Sequence, residues 1–367
     1  MKLQTRLIPA LSKQMQTSRR SCLSRYISNT TISQRPKTAL FFPGQGTQKP
    51  GMLTPLIKTF PRTLNPLLEV LEATCPGLRK IIAGGPCVEL TDTANAQPAI
   101  LITSIAILRV LEQEFGLKTA NFDYLLGHSL GEFSALVAAD VISLEDALTL
   151  VRRRGEEMAA CADATPGELG MWAIMVEPNL MDGLMRKFYD FIHSEVLPDD
   201  EFLGVANINS STQIVLSGHV RAVQAFLCHM RKFKGSDPRA IRLNVSAPFH
   251  SHIMYPAVKV VKNLLDEMEI RPGFEKVVAN ATGRPYEGVE PMKRHLAAQA
   301  VETVQWKDSI GYLERVQGVE RWVGIGPGKV GKNLVGREVQ GGPPSVLCAT
   351  GLDIKEMEEV VRALEDL

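Results

Sequence analysis

Gly127-His128-Ser129-Leu130-Gly131 sets a serine between two glycines, after the apolar run Phe122–Leu126 and before the small-residue stretch Leu130–Ala139. This is the G-x-S-x-G pattern of a nucleophile elbow. A strand that reverses sharply into a helix exposes the serine hydroxyl, and the glycines let neighbouring backbone close in. The Leu130 amide would then open the helix, where free N–H groups and the helix dipole favour a developing oxyanion. The same residues allow a second reading, because Ser129-Leu130-Gly131-Glu132 also spells an S-x-x-E capping box.

A serine nucleophile needs a base, and there are seven histidines. His128 adjoins the serine, and neighbouring side chains at a tight turn diverge, so a structural role is expected. His193, His219, His229 and His295 lie in polar stretches. His250 and His252 occur in Ser246-Ala-Pro-Phe-His-Ser-His, where a proline-stiffened loop can present an imidazole to a cleft. Residue types alone do not choose between these two. Phe42-Pro-Gly-Gln45-Gly-Thr-Gln48 offers glycine-flanked amides and a glutamine, suited to polarising a carbonyl. Arg152-Arg153-Arg154 falls on an expected helix, where successive side chains diverge by about 100°, so one or two at most can face a single cleft. Gly326-Pro-Gly-Lys-Val-Gly-Lys-Asn333 nearly spells a phosphate-binding P-loop. Asn333 stands where the metal-binding Ser or Thr is required, however, and Pro327 removes an amide, so that reading fails.

The elements around these residues alternate. Strands are expected over Thr38–Phe42 and Phe122–Leu126, and helices over Pro98–Glu114, Leu130–Ala139 and Leu144–Ala160. This order indicates an α/β architecture with a largely parallel sheet. After Pro166-Gly167 come a strand (Met171–Val176), a helix (Asn179–His193), two strands (Phe202–Ile208, Gln213–Ser217), a helix (Val220–Lys232) and a strand (Ala240–Val245). That βαββαβ order is ferredoxin-like. Residues 170–242 therefore read as a small subdomain inserted into a core made of 38–169 and 243–367. The core resumes with strands over Lys276–Asn280 and Arg321–Gly324 and a helix over Ile354–Leu367.

Composition sets the outer bounds. The 367 residues are 45% hydrophobic and 22% charged, ordinary globular material. Residues 1–37 hold eight Lys or Arg and no acid, in a Ser- and Thr-rich context without the continuous apolar run of a secretory signal. A mitochondrial presequence is the expected reading, and the mitochondrial matrix the expected location. The remainder carries 33 basic against 40 acidic residues, a net −7, which gives no global support to nucleic-acid binding. The six cysteines are scattered without a C-x-x-C pair, against a zinc knuckle or dense disulfide framework. No membrane span is expected.

Taken together, the segments resemble the malonyl-CoA:acyl carrier protein transacylase family. The match runs in order through FPGQGTQ at 42–48, QPAI at 97–100, GHSLGEFSAL at 127–136, RRRG at 152–155, NINS at 207–210, PFHSH at 248–252, NATG at 280–283, VQW at 304–306 and GIGPGKV at 324–330. The resemblance implies an α/β-hydrolase-like core with the ferredoxin-like insertion beside its cleft. It implies Ser129 as the acyl-accepting nucleophile and His250 as its base, with the imidazole oriented by a backbone carbonyl near Gln305. It further implies the backbone amides of Gln45 and Leu130 as the oxyanion hole and Arg154 as the clasp on the malonyl carboxylate. Malonyl-CoA and acyl carrier protein are the implied partners of a monomer that needs no metal or bound cofactor. Extra residues around 188–200 depart from the family pattern. Because carrier proteins are acidic, Lys232, Lys234 and Arg239 are candidates for a local docking patch. Two other readings are an ordinary serine esterase, which requires an Asp or Glu behind its histidine, and a non-catalytic binding module in which Ser129 only caps a helix.

Overall fold

In the computed structural model, which describes residues 35–194, 197, 200–232 and 239–365, the first strand is β1 (Lys37–Phe42), and five of its six residues are buried. Most of the expected presequence, Lys234 and part of the 188–200 stretch lie outside the described residues. Four helices follow, α1 (Thr54–Thr59), α2 (Pro61–Thr74), α3 (Leu78–Gly84) and α4 (Cys87–Thr91), none of which the sequence pattern announced. Next come α5 (Thr93–Phe115), β2 (Tyr124–Gly127), α6 (Gly131–Ala138) and α7 (Leu144–Ala164). The middle of the chain supplies β3 (Leu169–Met175), α8 (Met181–Ile192), β4 (Leu203–Ser210), β5 (Gln213–His219), α9 (Val220–Lys232) and β6 (Arg239–Arg242). The remainder forms α10 (Tyr255–Glu267), β7 (Val277–Val278), α11 (Val289–Ala298), α12 (Trp306–Arg315), β8 (Val319–Ile325), α13 (Val330–Gly336), β9 (Val346–Ala349) and α14 (Ile354–Ala363).

Five strands make a parallel sheet in the order β7-β2-β1-β8-β9. Beyond the polar residues near the starts of β1 and β8, its strands are largely apolar, as expected of strands covered on both faces. Alternation within β1 sorts the two cores: Leu40 and Phe42 join the helices α2, α5, α6 and α7, whereas Ala39 and Phe41 pack with Trp306, Ile310 and Leu334 from α12 and α13. Helix α5 is long and apolar enough to cross a membrane by length and composition alone. Here it is almost wholly packed inside the fold.

The second sheet is antiparallel in the order β4-β5-β3-β6, the ferredoxin-like arrangement. Period-2 alternation again decides its faces. Trp172, Ile174, Ile214 and Leu216 meet α8 and α9, while Met171, Ala173 and Val215 turn toward Met158 of α7 and Phe249. Backbone bonds from Ile208 N to Val304 O (3.0 Å) and from Val304 N to Ala206 O (2.9 Å) tie β4 to the segment before α12. The expected strand at 276–280 shrinks to two residues, because the chain turns at Ala279–Gly283 and commits the Asn280 side chain to the site described next.

Candidate active site

Strand register brings the chemistry-bearing loops together. Phe42 pairs with Gly127 and Phe41 with Gly324, so the loops leaving β1, β2 and β8 emerge side by side at the carboxyl ends of parallel strands. The two glycines flanking Ser129 are sterically required. A Cβ on Gly127 would lie 1.9 Å from the Gly131 backbone, and one on Gly131 would lie 2.4 Å from Phe42 O. Ser129 itself takes φ +50°, a left-handed conformation that L-residues other than glycine rarely adopt. Its amide donates to Asn280 Oδ1 at 2.6 Å, while Asn280 Nδ2 donates to Gly127 O at 2.7 Å. The elbow is thus clamped from β7.

Ser129 Oγ lies 2.8 Å from His250 Nε2. On the far side of the imidazole, Nδ1 faces the carbonyl oxygens of Gln299 (2.8 Å) and Glu302 (3.0 Å). Two acceptors there place the proton on Nδ1 and leave Nε2 to accept from the serine hydroxyl. Burial, reinforced by the Arg154 and His128 charges, lowers the His250 pKa to about 3, against the opposing pull of the two carbonyls, so the ring is a neutral acceptor. No carboxylate occupies the third position of an esterase triad: both groups on Nδ1 are backbone carbonyls.

Behind this pair lies a buried polar network. Arg154, 3% exposed, donates from its terminal nitrogens to Gln97 Oε1 (2.7 Å) and Gln299 Oε1 (2.8 Å), and stacks over the Phe133 ring. Its Nε is buried with no partner among the described residues, as is Gln45 Nε2. Gln97 Nε2 donates to Thr93 Oγ1, which donates to Gln45 Oε1, so the network reaches the loop after β1. On the other side, Gln299 Nε2 donates to Ser129 O (3.0 Å) and Glu132 Oε2 (2.5 Å). Tyr286 OH and Asn280 N donate to the other Glu132 oxygen. Desolvation raises the Glu132 carboxyl to about pKa 7 and lowers Arg154 to about 10, each partly offset by the other's charge.

The network borders a cavity of about 400 Å³. Its lining combines the polar Gln45, Ser129 and His250 with the apolar Met171, Ala173, Val215 and Phe249, and includes Arg337. Such a space fits an acyl chain bearing one polar end. Among the described residues no cluster of three or more His, Cys, Asp or Glu could hold a metal ion.

Comparison with known proteins is consistent with this geometry. Residues 40–316 match the acyl transferase domain family. The chain is 37% identical over 299 residues to a malonyl CoA-acyl carrier protein transacylase of Bacillus subtilis, covering 82% of this chain and 89% of that one. It superposes on the crystal structure of an acyl-carrier-protein-S-malonyltransferase from Bartonella henselae with TM-score 0.78 and 33% identity, over 90% of this chain and 99% of the other. A type II PKS acyl-carrier protein in complex with its malonyl-transacylase gives TM-score 0.77 at 30% identity, over 89% of this chain and 99% of that one. The chain belongs to the malonyl-CoA:acyl carrier protein transacylase family. It is an acyltransferase.

Within this transacylase, Ser129, His250, Leu130, Gln45 and Arg154 come together at one end of the parallel sheet. His252 does not join them, being exposed and edge-on to Phe202 at 5.6 Å. Ser129 caps no helix through its side chain, since Oγ is bonded to His250, so the capping-box reading does not describe this turn. His128 is held by Asn209 Oδ1 (2.8 Å) and Trp306. The Gln305 carbonyl accepts from Ser309 N and Oγ in the first turn of α12, and the carbonyls that face His250 Nδ1 are those of Gln299 and of Glu302, three residues before Gln305. Arg239 lies exposed at the start of β6, whereas Lys234 and the Lys232 side chain fall outside the described residues. Sequence reading passed over Gln299, Glu132 and Tyr286 as site residues. Gln299 carries no local signal, and Glu132 fits half of a capping box locally. Asn280 and Gln97 lie inside the NATG and QPAI motifs, which by themselves give them no role.

Proposed function

We propose that this transacylase moves the malonyl group of malonyl-CoA to the phosphopantetheine thiol of an acyl carrier protein, through a malonyl ester on Ser129. One juxtaposition carries the reading: a buried guanidinium with an unpartnered Nε stands behind a serine–histidine pair that has no triad carboxylate. His250 Nε2 takes the Ser129 proton as Oγ attacks the thioester carbonyl. The carbon–sulfur bond breaks, and the proton passes from His250 to the departing coenzyme A sulfur. The carrier-protein thiol then attacks the serine ester, His250 accepting its proton and returning it to Ser129 Oγ.

Backbone amides of Leu130 and Gln45 serve as oxyanion donors in this scheme, each contributing about 3 kcal/mol of barrier reduction. Arg154 receives the free malonyl carboxylate. A charged hydrogen bond worth about 1.5–3 kcal/mol favours malonyl over acetyl by roughly one to two orders of magnitude. The scheme needs no metal or bound cofactor. The basic first 37 residues support a mitochondrial matrix location, the chain acts as a monomer, and Arg239, with Lys232 and Lys234, offers a docking patch for the acidic carrier protein.

Intact-mass measurement after mixing with malonyl-CoA tests the reading. Wild type should gain one malonyl group, Ser129→Ala none, and Arg154→Ala should lose malonyl while gaining acetyl loading relative to wild type. Label retained on Ser129→Ala, or hydrolysis of malonyl-CoA as fast as transfer, would refute it.

A further inference from the structure

Glu132 is 1% exposed, three residues beyond the nucleophile, and the family reading gives it no task. Its surroundings are specific. Tyr286 OH, Asn280 N and Gln299 Nε2 all donate to its two oxygens. Two of those donors belong to residues that touch the reacting groups directly. Asn280 receives the Ser129 amide on Oδ1, and Gln299 receives His250 Nδ1 on its carbonyl and Arg154 on Oε1. Burying a carboxylate costs several kcal/mol even when it is hydrogen-bonded, and packing alone would be served by an apolar side chain.

The Gln299 amide shows what the carboxylate achieves. An amide has one accepting and one donating end, and neighbours decide which way it lies. Glu132 and Ser129 O both accept, so Nε2 faces them and Oε1 is left for Arg154. Reversed, the amide would set N–H against guanidinium N–H. Resting on the malonyl-transfer reading above, we infer that Glu132 is a positioning residue for anionic acyl groups, acting through Gln299 and Asn280 to hold Arg154, His250 and the Ser129 turn in working geometry.

The role has a pH signature. The titratable and charged groups facing Glu132 are Arg154 from α7, Tyr286 after β7 and, across Gln299, His250, with His128 at the end of β2 beyond it. Burial raises the carboxyl to about pKa 7, while Tyr286, Gln299, Asn280 and Arg154 pull it down. A proton on Glu132 replaces an acceptor with a donor and releases the Gln299 amide. Malonyl loading should therefore fall on acidification through about pH 7, whereas titration of His250 alone would place the limb near pH 3.

Single-turnover loading of Ser129 by malonyl-CoA and by acetyl-CoA, followed by intact mass between about pH 5 and about pH 9, tests this in wild type, Glu132→Gln, Glu132→Ala and Tyr286→Phe. Wild type should show the limb near pH 7. Tyr286→Phe removes a donor that lowers the carboxyl pKa and should move the limb upward by about one pH unit. Glu132→Gln, which carries a donor where the protonated acid does, should abolish the limb and hold malonyl loading at the low level of the acid limb at every pH, while Glu132→Ala should lose about a hundredfold in malonyl loading and about tenfold in the malonyl-to-acetyl ratio. A wild-type limb confined below about pH 5 overturns the inference, as does an equal fall of both loadings in Glu132→Ala. Should Glu132→Ala fail to fold, the position of the Tyr286→Phe limb decides. A wild type that takes no malonyl defeats the functional reading itself, whereas a wild type that loads malonyl without the limb defeats only the role of Glu132.

Discussion

Gln299 meets His250 with its backbone and Arg154 with its side chain: its carbonyl oxygen lies 2.8 Å from the imidazole Nδ1, and its Oε1 accepts from the guanidinium at 2.8 Å. One residue thus couples the histidine bonded to Ser129 with the buried guanidinium. The coupling separates by mutation, because only half of it is side chain. Gln299→Ala keeps the carbonyl and loses the Arg154 contact. Malonyl loading should fall about 10- to 100-fold, and acetyl loading should fall less. The protein should also lose about 1–3 kcal/mol through the stranded Arg154 donor. Loading rates on the two thioesters, with denaturant melts alongside, check this. An equal fall of both rates would count against the coupling.

Ser129 pays for its exposure with backbone strain. At φ +50° a side chain costs about 1–2 kcal/mol relative to glycine. Both Ser129→Ala and Ser129→Gly remove the hydroxyl and its bond to His250, but only glycine relieves the turn. Ser129→Gly should therefore be more stable than Ser129→Ala by about 1 kcal/mol, although neither is acylated. Urea midpoints of the two variants make the comparison, and equal midpoints would show the turn to be unstrained.

The flanking glycines give a harsher result. A Cβ at Gly127 would fall 1.9 Å from backbone atoms of Gly131, which cannot yield without opening the strand-to-helix turn. Gly127→Ala should cost more than about 3 kcal/mol and lower the soluble yield. A variant that melted within about 1 kcal/mol of wild type would mean that the turn relaxes freely.

What sequence could and could not show follows from range. Ser129 and Gln45 stand out in short glycine-spaced motifs, which are local, whereas helix periodicity lets one or two of Arg152, Arg153 and Arg154 face a cleft and only the family resemblance singles out Arg154. The central strands β1, β2 and β8 are legible as apolar runs, and the βαββαβ order gives the small antiparallel sheet. By contrast, Gln299 sits in a run of alanines and becomes meaningful only when α11 packs 170 positions away from Ser129. Which carbonyls near Gln305 meet His250 is hidden for the same reason: the choice requires the path of the chain between α11 and α12, and no local pattern records it. Glu132 misled because Ser-x-x-Glu has a local explanation, while its actual partners, Tyr286, Asn280 and Gln299, are all distant in sequence.

Acid should destabilise the fold partly through His250. Its folded pKa of about 3 lies below the ordinary value of 6.5, so between these limits the unfolded chain binds more protons than the native one. Stability contributed by the neutral ring is present above pH 6.5 and is lost progressively as pH falls toward 3. Glu132 works the other way. With its folded pKa raised from 4.5 to about 7, the native state binds the extra proton in that window, and acidification through it favours the fold. His250→Gln should therefore flatten the decline of melting temperature between pH 6.5 and 4.5, and Glu132→Gln should steepen it. Melting curves across that window with unchanged slopes in both variants would mean that neither group titrates as its burial dictates.

The two sheets are also joined outside the cavity, where Glu338 Oε1, just after α13, accepts from Ser211 N (2.5 Å) and Ser211 Oγ (2.8 Å) at the β4–β5 turn. This carboxylate holds the hairpin that carries Asn209, and Asn209 in turn holds His128 next to Ser129. Glu338→Ala removes two charge-assisted bonds, each worth about 1.5–3 kcal/mol at most, while its own exposure to water reduces the net loss to about 1–2 kcal/mol. Amide hydrogen exchange should accelerate at the β4–β5 turn more than in β1 or β8, because the parallel sheet keeps its own core. Uniform acceleration across both sheets would instead show that Glu338 supports the whole fold and not this junction.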